Sequence, residues 1–148
     1  MDPSIGPNTG HSIETLASEL LDIHHVLETK IRRSLMCGRN EARLGFAETL
    51  KFLSLVARHA DLTLTPAHRV DLVWHEFILF TRLYGDFCQE QFGKFIHHTP
   101  SGTHKENRDQ FETTLQLYQT RFGSPPLLFW GGADQKIASC GNCESIGT

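Results

Sequence analysis

No apolar run in this chain approaches the ~20 residues that cross a bilayer, so no membrane-spanning helix is expected. The opening residues, MDPSIGPNTGH, contain neither Lys nor Arg and no apolar core. That composition does not fit a secretory signal peptide and points to the cytoplasm. The G-x-S-x-G, P-loop, dinucleotide-binding and H-E-x-x-H signatures are missing, which leaves conventional hydrolase, kinase and dehydrogenase assignments without support. Strict apolar/polar alternation and internal repeats are also missing, which argues against strands and solenoids. Charge of either sign is scarce in excess: the net value is −3 over 148 residues. This gives no global electrostatic reason to bind nucleic acid or an anionic membrane. One basic cluster, Arg32, Arg33, Arg39 and Arg43, is partly compensated by Glu41 and has no interleaved aromatics, which is unlike a nucleic-acid patch. Cysteine is limited to four residues, and in a reducing compartment these read as thiols or metal ligands rather than disulfides.

Apolar residues at helical spacing are plentiful. The length suits one domain that buries roughly 70 per cent of its unfolded surface. The expected fold is all-α: a single-domain bundle of four to five helices with an irregular C-terminal tail. Residues 1–11 form a flexible N-terminus, 12–123 the helical domain, and 124–148 an irregular Cys-containing tail. Ser12 is the candidate N-cap of a long first helix, in which Ile13, Leu16, Ala17, Leu20, Leu27, Ile31 and Leu35 recur at helical spacing. Lys30, Arg32 and Arg33 complement its dipole near Met36, and Gly38 is its expected stop. A second helix covers about Glu41 to Ala60. Its broad face of Phe46, Ala47, Leu50, Leu53 and Ala57, widened by Phe52, Leu55 and Val56, suits a central position. Thr65-Pro66 marks the start of a third helix. Gly85 is expected to break that helix, Asp86 to Phe92 to form a short fourth, and Lys105 to Phe122 a last one stopped by Gly123.

The stretch from Val70 to Pro100, VDLVWHEFILFTRLYGDFCQEQFGKFIHHTP, is the most informative. His68, Asp71 and His75 share one helical stripe beside Val70, Val73 and Trp74. The outer two lie ~10 Å apart along the axis, too far to share an ion. Asp71 and His75 could hold one metal together, or Asp71 could orient an imidazole that holds it. The bland alternative is an exposed polar edge, with Asp71 pairing with Arg82 or a histidine. Cys88 reads either as a small buried hydrophobe or as a ligand folded back by the break at Gly85. His97 and His98 follow in a turn set by Pro100. Taken together, His75, Cys88 and His98 are ligand types suited to zinc or iron, although their spacing follows no zinc-finger template. Cys140-Gly-Asn-Cys143 could place two thiolates on one ion, or be a terminus with free thiols. His24, between Leu20 and Leu27, reads as a buried, hydrogen-bonded histidine. The neighbouring Asp22/His25 pair has the spacing of helical di-iron sites but no matching partner pair.

The blocks D-x-x-W-H with I-L-F-T, Y-x-x-F-C and G-K-F-I-H-H-x-P resemble a bacterial branch of the glycine-rich-domain-containing protein-like family. The resemblance covers about a fifth of the chain closely and the flanking helices loosely. It implies no reaction, but it singles out Trp74, His75, Cys88 and His98. Such proteins often end in a Gly- and Cys-rich tail, of which only Cys140-Gly-Asn-Cys143 is left here.

Three functions follow as expectations. The first is a small cytoplasmic helical protein that binds a transition metal, zinc or alternatively iron, through His75, Cys88 and His98, with Asp71, Cys140 and Cys143 as further ligands. The second is a metalloenzyme with an open coordination position and Glu76 or Asp71 as base. The third is a metal-free module whose Phe-rich helices present a groove to a protein partner.

Overall fold

The computed structural model describes residues 9–99 and 102–131. Among them are seven helices and no strands: α1 (Thr9–Ile23), α2 (His25–Leu35), α3 (Arg39–Arg58), α4 (His68–Leu79), α5 (Thr81–Phe92), α6 (His104–Phe122) and α7 (Leu127–Trp130). The all-α expectation holds, but the helix count exceeds four to five.

Of the two helices beyond five, one comes from a break in the expected first helix and the other is the short α7; a further break lies earlier than expected. The long first helix is interrupted at His24, whose backbone takes φ −110° and ψ 75°. Hydrogen bonding carries on across this point, from the His24 N–H to the Leu20 carbonyl (2.8 Å) and from the Glu28 N–H to the His24 carbonyl (3.3 Å). Leu21 is buried before the break and Leu27 and Ile31 after it, but Leu21 and Leu27 are six residues apart, so the buried stripe changes register at the break. α1 also begins at Thr9, which places Ser12 inside the helix instead of at its cap. At the other end Met36, not Gly38, closes α2, with φ 54° in the left-handed region. Gly38 instead offers its carbonyl to the Ala42 N–H at the start of α3 (3.0 Å).

A second break falls at Phe80, with φ −87° and ψ 72°. Gly85 lies inside α5 rather than at a break, since glycine permits a break without requiring one. Thr65 does not cap α4, which begins three residues later at His68. Its hydroxyl donates to Gln110 Oε1 (2.8 Å), and its backbone N–H donates to Thr114 Oγ1 (3.2 Å). α6 opens with a capping box: the Thr103 hydroxyl accepts from the Glu106 N–H, and the Glu106 carboxylate accepts from the Thr103 N–H. Beyond Gly123 the chain forms the further turn α7, which buries Phe129 and Trp130.

The chain divides into two compact units. The first comprises residues up to Lys51 together with Leu72–Phe95. Its centre is an aromatic cluster on Phe77, whose ring meets Phe46 at 5.0 Å, Tyr84 at 5.0 Å and Phe87 at 5.5 Å, all edge-on. Such edge contacts suit the ring quadrupoles. The Trp74 indole N–H donates to the Tyr84 hydroxyl (3.0 Å), satisfying a polar pair inside that core. Glu28 ties α2 to α3 by accepting from Arg43 (3.0 Å) and Arg39 (3.2 Å), while Asp22 pairs with Arg43 at 2.8 Å.

The second unit comprises Phe52–Asp71 and the residues from Ile96 onward. Trp130 is its hub, with Tyr118 at 5.3 Å, Phe111 at 6.3 Å and Phe52 at 6.4 Å between ring centroids. Arg69 lies 4.6 Å above the Phe129 ring and donates to the Leu128 carbonyl (2.9 Å), fixing α7 in place. No helix among the described residues is long and apolar enough to cross a membrane.

Candidate metal centre

α4 is amphipathic, with Val70, Val73, Trp74 and Phe77 buried. Asp71 falls in its first turn, where a carboxylate suits the positive end of the helix dipole. His75 follows one turn later on the same stripe, because side chains four residues apart stack along a helix. The third member arrives from the segment after α5. Gly93 closes α5 with φ 71°, and residues 95–99 then run without regular secondary structure. Along this segment Ile96 is buried, His97 exposed and His98 half-buried, so burial alternates and His98 turns inward.

One ligand atom each from Asp71, His75 and His98 lies within 4.8 Å of the others. Inside the group His98 Nε2 stands 2.7 Å from Asp71 Oδ1. The Asp71 side chain is only 4% exposed and that of His98 13%. A carboxylate buried this deeply needs a hydrogen-bonding or charged partner, and the imidazole provides one. Two imidazoles and one carboxylate form a three-donor set of the kind that holds zinc with an open position, or ferrous iron in a two-His, one-carboxylate arrangement.

The other residues singled out from the sequence lie elsewhere. His68 opens α4, half-buried and outside the group. Cys88 is fully buried on α5, next to Tyr84, and is not a member of the group. Burial pushes the Tyr84 phenol far above its ordinary pKa; the Trp74 hydrogen bond opposes this and Cys88 adds to it. Glu76 accepts a hydrogen bond from the Ser34 hydroxyl (2.9 Å). Cys140 and Cys143 lie outside the described residues. Asp22 is engaged by Arg43, as described above. All three members of the group were identifiable from the sequence. The inward turn of His98 and the exclusion of Cys88 were not.

A family model described as UCP032817-like matches residues 22–121, about two thirds of the chain. The chain belongs to the UCP032817-like family. The matched region contains Asp71, His75, Cys88 and His98 and stops short of Cys140 and Cys143, so the group of three lies within the matched residues. No curated protein and no solved structure matches the chain.

Proposed function

We propose that this UCP032817-like protein binds a divalent transition metal, zinc in the first place and ferrous iron as the alternative, through Asp71, His75 and His98. One observation supports this above the rest: three good ligand atoms from two separated stretches of chain lie within 4.8 Å of one another. The donor chemistry fits a borderline-soft ion better than calcium or magnesium, which prefer all-oxygen shells. Metal would take the place of the hydrogen bond between His98 and Asp71, or else Asp71 would orient His98 while the other ring nitrogen meets the ion.

Three protein donors leave a coordination position for water, the arrangement used by catalytic zinc. A thiolate from Cys140 or Cys143 would fill it and make the ion structural. The two roles separate by X-ray absorption of the zinc-loaded full chain: sulfur in the first shell favours the closed site, and only nitrogen and oxygen the open one. The resemblance to the glycine-rich-domain-containing protein-like family is compatible with either role. A Phe-lined partner groove has less support, because among the ten phenylalanines only Phe95 is exposed.

The proposal is tested by metal analysis of the full chain purified without a polyhistidine tag. It expects close to one equivalent of zinc or iron and a rise in melting temperature on reloading the stripped protein. Less than about a tenth of an equivalent, with no thermal shift on adding zinc or ferrous iron, would refute it.

A further inference from the structure

Within the first unit, α1 and α5 line an open cavity of about 470 Å³ that includes none of the Asp71 group. Its apolar lining is Leu16 and Leu20 from α1 with Leu83 and Phe87 from α5. Phe87 is buried and the three leucines are half-buried, so a body seated on them would cover apolar surface that the fold leaves partly wet. The polar lining is arranged by charge. Arg82, Asp86 and Glu90 follow one another at four-residue intervals along α5 and therefore form one stripe. Two carboxylates outnumber one guanidinium, and Glu90 lies in the last turn of α5, where the helix dipole adds further negative potential. His24, at the break between α1 and α2, contributes an imidazole to the same cavity.

That break is the second observation. Helix breaks usually trace to proline, glycine or an inserted group, and His24 is none of these. The chain departs from helical dihedrals at the residue that supplies the imidazole, while the hydrogen bonds on either side persist. Small-molecule sites combine this cavity size with a mainly apolar wall and a few convergent polar groups.

We infer that this cavity binds a small organic cation: an ammonium group held by Asp86 and Glu90, attached to an apolar body resting on Leu16, Leu20, Leu83 and Phe87. A ring or branched chain would lie on Phe87, and His24 could accept a hydrogen bond from the ammonium. Anionic ligands of the same shape are disfavoured, since one arginine faces two carboxylates. The inference is independent of metal binding and stands or falls separately from it.

The test uses the full chain and three probes of matched shape: 2-phenylethylamine, 2-phenylethanol and 3-phenylpropionate, titrated at neutral pH and followed by amide NMR shifts. The amine should bind saturably, at least tenfold more tightly than the alcohol or the acid, and shift amides of α1 and α5. The double variant Asp86→Asn/Glu90→Gln should lose at least tenfold in amine affinity. Arg82→Gln should bind the amine more tightly, a gain that no damage to folding would produce. Leu83→Trp, which fills the cavity, should abolish the shifts. No saturable amine binding, equal binding of acid and amine, or an amine affinity indifferent to the carboxylate and Arg82 variants would each overturn the inference.

Discussion

Asp71 Oδ1 and His98 Nε2 lie 2.7 Å apart, joining the first turn of α4 to the segment that follows α5 across 27 residues of sequence. Both side chains are largely withdrawn from water, so the contact between them is made where an unmade hydrogen bond is costly. In the presence of a chelator, Asp71→Ala and His98→Ala should each lower unfolding stability by about 1–3 kcal/mol. The double variant should lose less than the sum of the two, since either single change already breaks the contact between them. Urea unfolding of the four proteins measures this coupling, and strict additivity would show that the pair contributes nothing to stability.

Met36 and Gly85 invite opposite exchanges. Met36 is 91% exposed and holds φ 54°, a conformation that disfavours side chains bearing a Cβ. Met36→Gly should therefore raise stability, by about 1 kcal/mol. Gly85 sits inside α5, where a Cβ would meet nothing within 4 Å. Gly85→Ala should add about 0.5–1 kcal/mol by reducing the freedom of the unfolded chain. Thermal unfolding of each variant checks both, and a loss at either position would contradict the backbone description there.

Glu28 sets an acid limit on the first unit. Burial alone would raise its pKa, but hydrogen bonds and charge from Arg43 and then Arg39 outweigh this and hold it below its ordinary value of 4.5. A carboxylate with a depressed folded pKa contributes stability above the unfolded value, and that contribution fades as pH falls through the folded one. Glu28→Gln should be less stable than the parent at pH 7 and lose less on acidification below pH 4.5. Parallel stability curves for the two proteins across that acid range would contradict the assignment.

The sequence is legible where pattern and punctuation agree. α3 and α6 follow from wide or regular apolar faces, and Gly123 marks the end of α6 as expected. The breaks at His24 and Phe80 are not legible, because in the sequence Leu20 and Leu27, like Phe77 and Tyr84, stand seven residues apart across them and neither break residue is a helix breaker. α7 has four residues, too few for a period to register, and its burial comes from rings distant in sequence. At the candidate site, Asp71 and His75 are paired by helical spacing alone. His98 is brought in only by the path of the chain beyond Gly93, which no local pattern encodes. Cys88 looked equally eligible because a thiol on a core-facing helical position has the same sequence signature whether it binds a metal or simply fills space.

On the proposed function His75 is a metal ligand and His68, two turns away on α4, is not. The most direct test is a zinc titration by calorimetry of the untagged, metal-stripped full chain, its His75→Ala variant and its His68→Ala variant. Removing a ligand should weaken zinc binding by at least about tenfold, since even the loss of a supporting hydrogen bond typically costs that much. His75→Ala should fall by this margin or more and no longer gain melting temperature from zinc, while His68→Ala should match the parent. Equal zinc affinity in the parent and His75→Ala would contradict the proposed function.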